Sequence, residues 1–319
     1  MDIFVLGTSS GTPTRTRNVS GLAVRMEGAR GWYLVDCGEG TQHRILHTPL
    51  SLMSLRAIFI THVHGDHCYG LPGLLASAGM LNRTAALTIV GPAPIERFVC
   101  GVMDATELCL PYPIVFQHVE QAPRIRLGDV DVHATALSHR VPSFAYSFTE
   151  TAVARQLDPE RLARAGVPNG PLRGQLQQGR DVTLDDGRVV RAADVLLPPR
   201  KPRKLIVGGD NDTPDLLMAE ARGADVLVHE ATYTQAELEK IGPEPRHSSA
   251  LKVARLAQAA QIPHLVLTHY SPRYQDEGAA GLSLSDLEAE ARAAYDGDLH
   301  LAHDFDHFHL DKQGQFRVV

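Results

Sequence analysis

The chain has 319 residues, 44% of them hydrophobic, with a formal net charge of −6, four cysteines and sixteen histidines. That is enough apolar material for one large α/β domain or two smaller ones. No run approaches the roughly 18 apolar residues of a membrane span, and the start, MDIFVLGTSSGTP, turns to glycine and polar residues after six positions, so neither a transmembrane helix nor a signal peptide is expected. Cys37, Cys68, Cys100 and Cys109 form no CxxC pair, which points to reduced thiols, no disulfide and a cytoplasmic location.

In chain order, short apolar runs at Met1–Leu6, Trp32–Val35, Ala57–Ile60, Leu87–Val90, Lys204–Val207, Ala224–Val228 and His264–Leu267 read as buried strands. Between several of them lie helix-like segments at Leu71–Leu81, Ala93–Ala105, Thr213–Arg222, Ser248–Ala260 and Ser283–Tyr295. Strand and helix alternate, so the expected class is α/β. From Thr151 to Lys204 the pattern breaks into text dense in Gly, Pro and Arg, including GVPNGPLRGQLQQGR and LLPPRKPRK, which reads as an inserted arm. This insert holds eleven Lys and Arg against six Asp and Glu, a net of +5, and leaves −11 for the rest of the chain. A basic protrusion on an acidic protein is a place to grip nucleic-acid phosphates, although a solvated loop has the same composition.

The strongest local pattern is His62-Val63-His64-Gly65-Asp66-His67, directly after the run Ala57–Ile60. In extended backbone, residues two apart project to the same side, so His62 and His64 can converge on one ion. The chain then turns at Gly65 into a helix beginning near Asp66 and His67, which sends those two side chains toward a neighbouring position. Imidazole and carboxylate in this mixture suit two zinc ions, with manganese or iron as alternatives, and disfavour an all-oxygen magnesium or calcium site. Further candidates close later runs: His139 follows Val132–Leu137, Asp210 follows Lys204–Gly209, and His269 follows His264–Thr268. Taken singly, each could be an ordinary polar residue at a strand end. Taken together with the first cluster, they complete two coordination spheres.

With THVHGDHCYGLPGLL, the stretches GTSSGTPTRTRNVSG, DCGEGTQHR, SHRVPSFAYSF, HEATY, RHSS and THYSPRY resemble the ribonuclease Z family of tRNA 3′-processing endonucleases, within the metallo-β-lactamase superfamily, along nearly the whole chain. The resemblance implies a metallo-β-lactamase αββα sandwich, a catalytic domain over 1–319, with the 151–204 insert as the protruding arm that holds the tRNA body. It further implies that His62, His64 and His139 bind one zinc, that Asp66, His67 and His269 bind the other, and that Asp210 bridges them. The text departs from the family at GGDNDTP, where the family runs Gly-Asp-Thr-Arg, so Asp212 is a rival for the bridge. Asp210 is preferred because it follows the strand and two glycines directly.

In the implied reaction, a water activated between two ions attacks phosphorus, Asp66 orients it and accepts its proton, and His247, polarised by Glu230, protonates the departing ribose oxygen. The products would be a tRNA with a 3′ hydroxyl and a trailer with a 5′ phosphate. Short-form members act as homodimers on precursor tRNA, which sets the expected partners. The remaining ten histidines and Cys68 receive surface or core roles. Two rival enzymes share the ligand set, a hydrolase of small phosphodiesters or other esters and a long-insert nuclease that cuts messenger RNA ends. The arm argues against the first, and 319 residues leave no room for the large extra domain of the second. A non-catalytic RNA-binding protein with structural zinc would have no use for an acid pair such as Glu230 and His247.

Overall fold

Runs such as Ala57–Ile60 and Val226–Val228 are apolar at every position, which suits a strand covered on both faces. In the computed structural model, which describes residues 1–151, 153, 155–275 and 281–319, such strands form the centres of two sheets. Ala152 and Ala154, inside the 151–204 insert, and residues 276–280 lie outside the described residues. The first sheet has eight strands in the order Phe316–Val318, His307–Leu310, Asp2–Gly7, Gly21–Arg25, Trp32–Val35, Leu55–Phe59, Leu87–Gly91, Ile114–His118. Its first half is antiparallel, and it becomes parallel from Trp32–Val35 onward. The second sheet has seven, in the order Asp298–Leu301, His264–Thr268, Val226–Glu230, Lys204–Val207, Ser143–Glu150, Val130–Leu137, Arg124–Leu127.

Alternation of side chains then sorts each strand between two cores. In the first sheet, Leu34, Ile58, Ile60 and Ile89 pack with the helices Leu71–Met80 and Pro94–Ala105. Tyr33 and Phe59 turn the other way, where Phe59 meets Tyr146 and Phe148 of the second sheet at centroid distances of 5.1 Å each. Tyr146 is buried but not orphaned: its hydroxyl donates to the Ile60 carbonyl at 2.7 Å. In the second sheet, Ile206, Leu227, Leu265 and Leu267 pack with Ala250–Ala259 and Leu284–Arg292. The layers are therefore helix, sheet, sheet, helix, the expected αββα sandwich.

Parallel strands place their carboxyl ends on one edge, where an α/β sheet offers its ligand sites. Strands Val226–Glu230 and His264–Thr268 run in parallel register with Glu230 opposite Thr268, so Glu230 and His269 emerge together. Leu55–Phe59 delivers Thr61 and His62, and Lys204–Val207 delivers Asp210, to the ends of their own parallel neighbours. Among the described residues no helix is long and apolar enough to cross a membrane, and all four cysteines are free thiols.

Residues 128–130 and 149–202 form a second compact unit. Its prolines and glycines punctuate structure. Pro159 opens the helix Pro159–Ala165 behind an Asp158 cap that accepts from the Glu160 and Arg161 amides, and left-handed Gly166 (φ 71°) ends it. Helices Pro171–Gln177 and Ala192–Val195 and the hairpin Val182–Thr183 with Val189–Val190 complete the unit. Leu162, Leu176, Val182, Val190 and Val195 give it a small apolar core of its own.

Candidate metal centre

The strand ends bring together three groups of ligand-capable side chains: His62, His64, His139 and Asp210; Asp66, His67 and His269; and Asp210, His247 and His269. In the first group, His64 Nδ1 lies 3.1 Å from both His62 Nε2 and His139 Nε2. Asp210 Oδ2 lies 3.5 Å from His62 Nε2 and 3.8 Å from His139 Nε2. In the second, His67 Nε2 and His269 Nε2 are 3.2 Å apart, and Asp66 Oδ2 is 3.5 and 3.4 Å from them. The other oxygen of Asp210, Oδ1, lies 3.5 Å from His67 Nε2 and 3.4 Å from His269 Nε2. Asp210 thus turns one oxygen to each group, while Asp212 joins neither.

The hydrogen bonds behind the rings fix which nitrogen faces the centre. His139 Nδ1 donates to the Arg246 carbonyl at 2.8 Å, and His67 Nδ1 donates to Asp36 Oδ2 at 2.7 Å. His62 Nδ1 donates to Thr61 Oγ1 at 3.1 Å, and that hydroxyl passes its own proton to Asp36. His269 Nδ1 donates to Thr232 Oγ1 at 3.1 Å, whose hydroxyl bonds to Glu230 Oε2. In each case Nε2 is left with its lone pair turned to the centre. Lone pairs at 3.1–3.5 Å from one another and from carboxylate oxygens repel unless a cation sits among them. Zinc bound tetrahedrally at 2.0–2.1 Å sets its ligands about 3.3 Å apart, so the residues present fit such an ion.

Local backbone conformation aims these groups. His269 (φ 59°) and Asp36 (φ 58°) both hold left-handed backbone, uncommon outside glycine and a mark of functional sites when the surroundings enforce it. Gly209 allows the chain before Asp210 to press against Thr61; a Cβ there would lie 2.6 Å from Thr61 Cβ. Gly11, at φ 69°, presents its amide to Asp66 Oδ2 at 2.7 Å, which gives the GTSSGTP stretch a physical task.

Charge follows the same plan. Burial alone would raise the Asp66 carboxyl, but His67 and His269 outweigh it and hold the group below the usual carboxylate range. Burial also disfavours the Asp210 anion, yet the surrounding histidines, His269 first, keep it ionised. His64 is pushed down to about 4 by burial and then by His139. His247 moves the other way: burial lowers it, but Glu230 and Asp210 outweigh that and lift it to about 9. Both Glu230 oxygens lie 3.1 Å from His247 Nδ1, and Oε1 also accepts from the Asn211 amide at 2.7 Å.

All nine residues singled out in the sequence therefore stand at one site. Asp36, Thr61, Thr232 and the Gly11 amide were not singled out. Of the ten remaining histidines, His229 is buried against Asn211 and its neighbour's carbonyl, and His118, His133, His264, His300, His303, His307 and His309 face carboxylates away from the centre. His43 and His47 pack edge to face on each other. Cys68 is buried, and burial pushes its thiol up to about 12, against a thiolate ligand.

Comparison with known proteins places this arrangement. A family model described as the anti-Pycsar protein Apyc1 matches residues 1–96. Among solved structures, the chain is similar to the metallo-β-lactamase fold protein YhfI from Bacillus subtilis, with a TM-score of 0.66 at 18% identity over 96% of this chain and 98% of that one. It is also similar to the short form of human tRNase Z (ELAC1), with a TM-score of 0.66 at 25% identity over 98% of this chain and all of the other. The sandwich and the paired ligand groups define a hydrolase of the metallo-β-lactamase fold that binds divalent metal. Proteins named ribonuclease Z from Marinobacter nauticus and Pseudomonas putida are 52% and 51% identical to it, covering 100% and 98% of this chain and 99% and 98% of theirs. The chain belongs to the ribonuclease Z family.

Asp36 is the hub behind two of the rings, directly for His67 and through Thr61 for His62. Asp36→Asn keeps the volume but removes the charge, and should lower affinity for zinc about 10- to 100-fold, read by competition with a chromophoric chelator. Unchanged affinity would show that the rings are held without it.

Proposed function

We propose that the protein removes the 3′ trailer from precursor tRNA with two zinc ions, or manganese in their place, held one in each ligand group. The observation that carries this reading is the Asp210 carboxylate, with one oxygen turned to each group. His62, His64 and His139 would hold one ion, Asp66, His67 and His269 the other, and Asp210 both. When bound, two such ions lower the pKa of a water and offset negative charge on the phosphoryl oxygens. Asp66, fixed by the Gly11 amide, orients the attacking water and accepts its proton. The downward direction of its pKa makes it a better orienter than a lasting store for that proton. His247, with Nδ1 held by Glu230, has Nε2 left to protonate the ribose 3′ oxygen as it departs. The tRNA then ends in a 3′ hydroxyl and the trailer begins with a 5′ phosphate.

The substrate body is assigned to the 151–204 segment, because the ligand groups do not choose a substrate and the rest of the chain is acidic. Its net charge of +5 supplies positive charge that the −11 remainder lacks. Resemblance to short-form members supports action as a homodimer.

Replacing residues 166–191 with a short Gly/Ser linker should leave metal content largely intact while cleavage of 3′-extended precursor tRNA collapses through weaker binding, with a flatter dependence of binding on salt. Normal processing at the same salt, with ends mapped at nucleotide resolution, would turn the segment back into a solvated appendage and favour small phosphodiesters as substrates.

The acid role separates from metal binding. His247→Ala should keep both ions and slow precursor cleavage about 10²- to 10⁴-fold, with a much smaller loss on a nitrophenyl phosphodiester, whose leaving group needs no proton. Loss of metal would instead make His247 a ligand with Asp210 and His269, and equal loss on both substrates would remove the acid assignment.

A further inference from the structure

Asp212 belongs to neither ligand group, yet it stands where the chain departs from the family text: counted from Asp210, it takes the position of the arginine in Gly-Asp-Thr-Arg. It lines a cleft of about 400 Å³ together with His247, Lys252, Leu238 and Pro243. That volume falls in the range of small-molecule sites and accommodates one nucleoside. Leu238 and Pro243 supply apolar surface, as a base or ribose face requires, and the polar side chains include two carboxylates, Asp212 and Glu239, the Lys252 ammonium and the Gln235 amide. Lys252 Nζ donates to the Asp212 carbonyl at 3.2 Å and has two further protons to offer. The Asp212 carboxylate accepts from Thr213 Oγ1 through Oδ1 at 2.7 Å, and its Oδ2 meets no protein donor among the described residues.

We infer that this cleft seats the nucleoside whose 3′ oxygen departs, and that Asp212 accepts a hydrogen bond from its 2′ hydroxyl. The inference rests on the reading of His247 as the acid. If His247 protonates the leaving oxygen, the sugar bearing that oxygen lies on the His247 side of the phosphate, and the nucleoside-sized cleft that His247 lines is on that side. Two residues span at most about 7 Å of extended chain, so Asp212 stays close to Asp210 and hence to the scissile phosphate. The 2′ oxygen is the ribose group adjacent to the 3′ oxygen, whereas the edge of the base lies several ångströms farther on. A carboxylate is an acceptor only, and the 2′ hydroxyl is the donor that distinguishes RNA from DNA at this position. Lys252 offsets one of the two negative charges, Asp212 and Glu239, that the cleft presents to an incoming polyanion. An acceptor-only side chain here, where the family text has arginine, makes the nucleotide before the cut a point of substrate discrimination in this chain.

The test uses two full-length precursor tRNAs, identical except that one carries a single 2′-deoxy sugar at the nucleotide before the cut. Wild-type protein should favour the all-ribose substrate by about 10- to 100-fold in kcat/KM, the range of a hydrogen bond to a charged acceptor. Asp212→Asn should slow cleavage of the all-ribose substrate and shrink the ribose-to-deoxyribose ratio by a similar factor, with metal content and melting temperature as checks on folding. Asp212→Arg, the family residue, should shrink the ratio as well. Equal losses on the two substrates, or no loss, would make Asp212 a structural residue and overturn the assignment. Failure of the acid reading is seen separately, as equal losses of His247→Ala on precursor and nitrophenyl substrates, whereas failure of the subsite appears only in the 2′-deoxy ratio.

Discussion

A buried carboxylate ringed by imidazoles is the constraint on which the rest of this protein depends. Asp210 is 3% exposed and lies within 3.4–3.8 Å of ring nitrogens from His62, His67, His139, His247 and His269. An isolated buried anion is costly, and so is a cluster of lone pairs turned inward; each is tolerable only in the presence of the other and of positive charge between them. The five histidines come from four separate parts of the chain, so neither sheet alone can assemble the cluster. The sandwich brings the two sets of strand ends to one place. Glycine at 209 and left-handed backbone at Asp36 and His269 then set the last few ångströms.

Around that cluster, a small number of groups do several things at once. Asp36 holds one ring directly and a second through Thr61, and Glu230 holds His247 directly and His269 through Thr232. Asp36 thus anchors one ring of each ligand group, Glu230 anchors a second ring of the Asp66 group along with His247, and the two carboxylates sit at the ends of strands in different sheets. Such anchoring keeps the facing nitrogens free to bind and the rings unable to turn away. The ionisable groups of the site stand on the sandwich, while the 151–204 segment carries a net charge of +5.

How much of this could be read from the sequence follows from what each element exposes. The central parallel strands, buried on both faces, print continuous apolar runs and were found with bounds within two residues. Asp298–Leu301 and His307–Leu310 lie toward a sheet margin and carry polar residues at alternate positions, and the edge strand Ile114–His118 has only three apolar residues before Gln117 and His118, so none gives such a run. The candidate ligands stood out in two ways: His62, His64, Asp66 and His67 as one dense cluster beyond a strand, and His139, Asp210 and His269 as polar side chains closely following apolar runs. Asp36 follows Trp32–Val35 and carries that same signal, so it was within reach. Thr61 and Thr232 look like any strand-end threonine, and the Gly11 amide has no side chain to read. The insert read as an arm without core because Pro and Gly are dense in it, whereas among the described residues they start and stop short helices around a core of nine buried residues.

The central claim, that the two ligand groups share Asp210 and hold one ion each, is tested most directly by anomalous diffraction at the zinc edge from crystals of the zinc-loaded protein. Two anomalous peaks, one among His62, His64 and His139 and one among Asp66, His67 and His269, with Asp210 touching both, is the predicted result. A single peak, or a second peak held by His247 or Asp212 in place of one group, would contradict it.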